Sequence, residues 1–277
     1  MRLGIVTIPR LPTDGVPVPQ RLAEIGRRAE ALGYSGVWTT DAIGRGRPTM
    51  DPLAILSLLA AVTETVELGT CVLQLPLRHP VELAHRVQSL NLLTGGRLRL
   101  GVGAGSTEAD FLAVEADYGG RFAALAQALD VIRRAWNGEA VSGKGLPLWP
   151  GTEGGPPLLL GAWRSPRWID VAARQCQGWI ASGIYSTWED LETGIAMYRA
   201  AAGEGGRMVL ANLFTDLRPE PENLPMIGRS KINLCCPPAE AARRLKRIEG
   251  LGVDDALLVI PFDQPQQLEQ ARELYPA

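Results

Sequence analysis

The chain has 277 residues, 46% of them hydrophobic, with 28 basic and 30 acidic side chains for a formal charge of -2. That is enough apolar chain to bury a large core, and the balanced charge excludes the broad basic surface that a nucleic-acid backbone demands. No apolar run reaches the ~20 residues of a membrane helix, and MRLGIVTIPR enters a strand pattern with no signal-peptide pattern before it, which predicts a soluble cytoplasmic protein.

The elements alternate along the chain. LGIVTI (3–8) precedes a helix from near Pro19 to Gly33, with Leu22, Ile25, Ala29 and Leu32 at helical spacing. GVWTT (36–40) leads through DAIGRGRPTM to a helix capped by Asp51, with Pro52 in its first turn. VELGTCVL (66–73) leads through QLPLRHP to a helix carrying Leu83, Val87, Leu90 and Leu93 on one face and closed by Gly95 and Gly96. RLRLGVGAG (97–105) opens a longer loop before a helix at about 120–137. Residues 137–157 are rich in Gly and Pro and read as a loop excursion. LLLGAW (158–163), GWIASG (178–183), MVLANLF (208–214) and DALLVIPF (255–262) supply four more strands. Their helices follow Ser165 and Pro166 and lie near 187–202, 238–250 and 265–275.

Eight strands, each followed by a helix, over roughly 250 residues fit a closed α/β fold, the (β/α)8 TIM barrel, better than an open doubly wound sheet. One domain over 1–277 is expected, with the excursion at about 138–156 and an irregular segment at about 215–236. Chemistry in such barrels sits at the carboxyl ends of the strands. The four cysteines, Cys71, Cys176, Cys235 and Cys236, show no metal-ligand spacing, so no metal site is expected. The adjacent Cys235 and Cys236 are expected as reduced thiols in a cytosolic chain. The GxGxG run at Gly101, Gly103 and Gly105 lacks the dinucleotide fingerprint and rules out a Rossmann reading; its glycines allow close backbone approach of a ligand or serve tight turns.

LGTCVLQLPLRHPVELAHRVQSLNLLTGGRLRLGVGAG (68–105) resembles the strand-helix-strand core of the luciferase-like flavin oxidoreductases, and GYSGVWTTD (33–41), LLLGAWRSP (158–166) and QGWIASG (177–183) are similar to further strands of that family. The resemblance implies a non-proline cis peptide at Cys71-Val72 beneath a tricyclic ring, with Gln74 as a polar contact. It places the ring's phosphate at Gly161, Ala162, Trp163, Arg164 and Ser165, where a helix start offers free N–H groups. Asp41, Gly103, Gly105 and Ser106 complete the expected cofactor-binding set. Many relatives carry His after the second strand, but Ala42 stands here, so proton transfer from that loop is not expected. Of the two histidines, His79 at a helix start is the one weak catalytic candidate, and His85 is expected to be structural. Arg45 and Arg47 face an acidic substrate or cofactor tail, or are simply solvated. Trp38, Trp163 and Trp179 line an apolar pocket or fill the core.

The resemblance implies FMN or coenzyme F420. The first reading is a reduced-FMN monooxygenase or oxidoreductase acting on a small organic substrate, with a separate flavin reductase as possible partner and a homodimer as the assembly. The alternatives are an F420-dependent hydride-transfer enzyme and a flavin-binding protein without turnover. A cofactor-free isomerase or aldolase is disfavoured, since no strand end offers a Lys or a Glu/His pair.

Overall fold

A computed structural model describes residues 1–8, 15–46, 48–141, 143, 147–203, 205–220, 230–260 and 266–276. The strands are β1 (Arg2–Thr7), β2 (Gly36–Thr39), β3 (Glu67–Thr70), β4 (Leu73–Gln74), β5 (Leu98–Gly103), β6 (Leu158–Gly161), β7 (Gly178–Ser182), β8 (Arg207–Asp216), β9 (Leu234–Cys235) and β10 (Asp255–Val259). All pair in parallel, and β10 bonds to both β1 and β8. With β3 and β4 sharing one position and β9 lying off the end of β8, these close an eight-stranded (β/α)8 barrel, as the alternating pattern predicts.

The main helices are α1 (Val18–Ala31), α2 (Pro52–Val62), α3 (Pro80–Leu93), α4 (Glu108–Leu112), α5 (Arg121–Trp136), α6 (Pro166–Gln175), α7 (Trp188–Ala202), α8 (Pro238–Gly250) and α9 (Gln267–Glu273). Asp51 caps α2 as expected, its carboxylate accepting the Leu53 and Ala54 N–H groups. Two short elements were hidden in segments that read as irregular: α4 in the loop after β5, and β9, where Thr215 pairs with Leu234. Both are too brief to leave a periodic signal. No helix among the described residues is long and apolar enough to cross a membrane.

Side chains alternate between the barrel interior and the helix-facing shell. Val6, Trp38, Leu159, Ile180, Val209 and Leu257 fill the interior. Trp38 is fully buried there, and a Cβ at Gly69 would lie 2.2 Å from its ring, so glycine on the neighbouring strand makes room for the indole. At the strand starts, Glu67 accepts from Arg99 at 2.9 Å and Arg207 at 2.6 Å, and Asp255 binds Arg207 at 2.7 Å and Arg2 at 2.9 Å. Burial pushes the Glu67 carboxyl up, but these guanidinium groups outweigh it and hold it below the usual carboxylate range. This ionic plug closes one end of the barrel and leaves the other end for a site.

Candidate functional site

The third strand breaks where the family resemblance implies. β3 stops at Thr70 and β4 resumes at Leu73. Both pair with β5, but the register slips by one residue between them, and the Cys71-Val72 peptide is cis. Cys71 N–H donates to the Thr39 carbonyl at 2.9 Å, and Thr70 Oγ1 donates to the Gly101 carbonyl at 2.6 Å. The neighbouring glycines serve this kink. A Cβ on Gly101 would sit 1.9 Å from the Thr70 carbonyl oxygen, and Cβ atoms on Gly103 and Gly161 would sit 2.8 and 2.9 Å from the Val72 methyls. Direct approach to a ligand is therefore a secondary reason for these glycines.

Above the kink, at the carboxyl ends of the strands, lies a cavity of about 430 Å³. Its floor is Cys71 and Val72, with Gln74 and the buried Asp41 beside them; Gly103, Gly105 and Ser106 form one side, and residues 161–165 the other. The ring and phosphate contacts expected from the sequence thus converge on one space. Burial pushes the Cys71 thiol far up, so it packs there as a small neutral group. His79 does not join them: it is exposed at the N-cap of α3, makes no capping bond and lies outside the cavity lining. His85 is exposed too, its ring edge-on to Trp149 at 5.3 Å. With Ala42 in the loop after β2, no histidine lines the cavity among the described residues.

A buried polar chain supports the floor. The Arg78 guanidinium grips both Asp41 oxygens, and Asp41 Oδ2 also accepts the Gln74 backbone N–H at 2.9 Å. Gln74 Nε2 donates to Asp110 Oδ2 at 3.0 Å and to the Asp41 carbonyl at 3.3 Å. Because both partners are acceptors, the amide orientation is fixed, and Gln74 Oε1 is left buried and unpartnered on the Gly105 side. Asp110 binds Arg45 through Nε at 2.9 Å and Nη2 at 2.7 Å. Burial raises the Asp110 carboxyl, but hydrogen bonds from Arg45, Gln74 and the Ile43 N–H hold it below the usual range. Arg45 is therefore tied to Asp110 through Nε and Nη2 while its side chain stays exposed at the cavity. Arg47 lies outside the described residues.

The end expected from the sequence to hold a phosphate is built by two helix starts. Ser165 occupies the N-cap of α6, with Pro166 in the first turn; its hydroxyl makes no capping bond, while its carbonyl accepts the Trp168 N–H at 3.0 Å. Phe122 stacks on Trp168 at 5.8 Å, which brings the start of α5 beside α6. Arg121 then lines the cavity: its Nη1 donates to the Tyr118 carbonyl at 2.8 Å and its guanidinium lies 3.9 Å over the Tyr118 ring. The buried Arg121 Nε has no partner, and no carboxylate pairs with this side chain among the described residues. Trp179 is fully buried and donates to the Ala162 carbonyl at 2.7 Å, fixing the 161–165 loop from behind. Trp38 and Trp179 are thus core residues, whereas Trp163 lines the cavity and stacks on Tyr185 at 3.9 Å. Arg164 is largely exposed and reaches Asp190 at 4.0 Å.

Sequence reasoning missed Arg121, Tyr118 and Asn212. Arg121 follows Gly119 and Gly120 directly, a helix-start signal that marks a boundary but not a ligand contact. Asn212 left no pattern. It has φ +59 inside β8, where the β8–β10 register slips, and it turns into the cavity with Nδ2 3.3 Å from Ser182 Oγ.

Known proteins match this arrangement. The model of the luciferase-like monooxygenase family matches residues 1–217. A Mycobacterium tuberculosis protein provisionally named as a coenzyme F420-dependent oxidoreductase is 31% identical over 221 residues, covering 69% of this chain and 60% of that one. The 4-hydroxyprotoasukamycin monooxygenase of Streptomyces nodosus subsp. asukaensis is 35% identical over 117 residues, covering 42% and 32%. The matches thus span from about a third to three fifths of these relatives' own lengths. In fold, the monooxygenase RslO1 from Streptomyces bottropensis superposes with a TM-score of 0.80 at 20% identity, covering 98% and 97% of the two chains. With the family model matching residues 1–217 of its 277, this chain belongs to the luciferase-like monooxygenase family.

Proposed function

We propose that the chain is an oxidoreductase that seats a flavin-type ring on the Val72 floor, with the deazaflavin F420 favoured and FMN as the alternative. The observation that carries this reading is a cavity with an apolar kinked floor at one end and, at the other, an arginine with no carboxylate partner among the described residues beside the start of α6, which no side chain caps. Two buried polar atoms of its lining residues lack partners, Gln74 Oε1 and Arg121 Nε. An N–H on a ring edge would satisfy the first and a phosphate oxygen the second. Similarity to the mycobacterial relative named for F420 supports the deazaflavin; similarity to the 4-hydroxyprotoasukamycin monooxygenase supports the oxygenase reading.

When bound, F420 would supply two-electron hydride transfer, whereas reduced FMN would activate dioxygen and require a separate reductase. The chain's own residues bind and orient. Val72 and Ile180 would press on the ring; residues 161–165 and Arg121 would anchor the anionic end; Trp163 and Tyr185 would shield the mouth from water. A small organic substrate would enter beside that aromatic pair. The described lining offers hydroxyls at Ser106, Tyr118, Ser182 and Tyr185 but no imidazole, so bound-ring reactivity rather than a histidine relay would carry the reaction.

Titration of the purified protein with F420 and with FMN, followed by absorbance and fluorescence, tests the reading. Saturable uptake of F420 and its reduction by a substrate panel is the expected result. Preferential uptake of FMN with reductase-driven oxygen consumption would replace F420 by the monooxygenase reading. Tight uptake without turnover would leave a flavin-binding protein, and uptake of neither ring would end the proposal.

A further inference from the structure

A second recess, of about 400 Å³, lies outside the barrel cavity between the start of α7 and one side of α8. Its lining is unusual for its charge: Lys231, Arg243, Arg244 and Arg247 face a single carboxylate, Glu240. Glu240 is occupied by Arg243 and by Arg244 at 3.0 Å, and Arg244 is further tied to the Asn233 carbonyl at 2.8 Å. Lys231 and Arg247 pair with no carboxylate among the described residues, and Arg247 instead lies 4.1 Å over the Trp188 ring. The recess therefore holds fixed positive charge in excess, partly pre-organised by Glu240, Asn233 and Trp188. An anion entering it would gain charge-assisted hydrogen bonds without first breaking an ion pair at Lys231 or Arg247.

This recess shares a wall with the candidate site. Ser182, Ile184 and Tyr185 line the barrel cavity, while the intervening Gly183 carbonyl accepts the Ile232 N–H at 2.8 Å, and Ile232 lines the basic recess. Around the rim, Arg164 of the expected phosphate loop reaches Asp190, in the first turn of the same α7 that begins with Trp188. An anionic chain leaving the 161–165 loop would thus cross the 183–187 segment, past Asp190 paired with Arg164, to reach the four cations.

We propose that the groove between α7 and α8 is a subsite for an oligocarboxylate chain, the tail of a deazaflavin whose ring occupies the barrel cavity. The proposal rests on the ring-binding reading above and extends it: FMN, ending in one phosphate, has nothing to place there. Tethering would make even a weak carboxylate contact count, because the ring sets a high local concentration of the tail.

The test measures dissociation constants by fluorescence for F420 carrying a long oligoglutamyl tail, for the same ring with one glutamate, and for the tail-free deazaflavin. These are repeated at low and high salt and in the doubly substituted variant Lys231→Gln, Arg247→Gln. The long tail is expected to bind about tenfold tighter than the single glutamate, with the advantage lost in the variant and at high salt. Equal affinities for long and short tails in the wild type, or an advantage that survives in the variant, would overturn the subsite. Should no ring bind at all, an oligo-γ-glutamate peptide titrated alone keeps the two ideas apart. Line broadening or heat that disappears in the variant supports the groove, and its absence at millimolar peptide refutes it.

Discussion

Arg78 holds both carboxylate oxygens of Asp41, Nη1 to Oδ2 at 2.6 Å and Nη2 to Oδ1 at 3.0 Å, so the turn after β2 is locked to the exit of the third-strand kink. Both side chains are largely buried, the carboxylate almost completely. Removing the cation leaves an uncompensated buried charge, which is more damaging than losing the pair together. Arg78→Ala is expected to cost about 3 kcal/mol, read as a lowered urea midpoint, and the double variant with Asp41→Asn should recover part of that loss.

Gly101 faces the Thr70 carbonyl oxygen at a distance no side chain can share. Gly101→Ala should therefore destabilise the barrel by about 3 kcal/mol, whereas Gly205→Ala, where an added Cβ meets nothing within 4 Å, should be close to neutral. Parallel urea melts of the two variants check this.

Arg121 is expected to act on the phosphate and not on the ring. Arg121→Gln should weaken binding of a phosphate-bearing flavin or deazaflavin by about 10- to 100-fold, the range of one or two charge-assisted hydrogen bonds. Binding of the dephosphorylated ring should change little. An equal loss for both ligands in fluorescence titrations would assign Arg121 to packing instead.

Asn212 sits at a positive φ that only glycine and asparagine tolerate readily. Asn212→Gly should keep the melting temperature nearly unchanged while lowering ring affinity about 3- to 10-fold, the worth of one neutral hydrogen bond. Asn212→Val should instead unfold more easily, by about 2 kcal/mol, because its branched side chain resists that backbone. Thermal melts and ring titrations of both variants separate the two effects.

The depressed Asp110 carboxyl links stability to pH. Its folded value lies below the ordinary 3.8, so its contribution is fully present above that pH and is lost as pH falls through the folded value. Urea midpoints measured from pH 5 down to pH 2 should fall more steeply for the wild type than for Asp110→Asn. Identical slopes would show that the Arg45 and Gln74 contacts contribute nothing to acid stability.

Much of this molecule is written locally. The alternation of apolar runs with amphipathic stretches, Asp51 before Pro52, and the Gly pairs closing helices determined the eight barrel strands and their order, because each signal acts within a few residues. The GTCVLQLPLRHP run identified the kink through its likeness to a family, and the ring and phosphate segments it implied do line one cavity. Tertiary structure decided the rest. That Arg45 is tied to Asp110 while Arg121 has no carboxylate partner among the described residues, that Trp38 and Trp179 are core while Trp163 is at the mouth, and that Gly101 and Gly103 yield to the kink all depend on which strand ends meet. Charge pairing and steric room are properties of neighbours brought together by barrel closure, and a linear sequence names the residues without naming those neighbours.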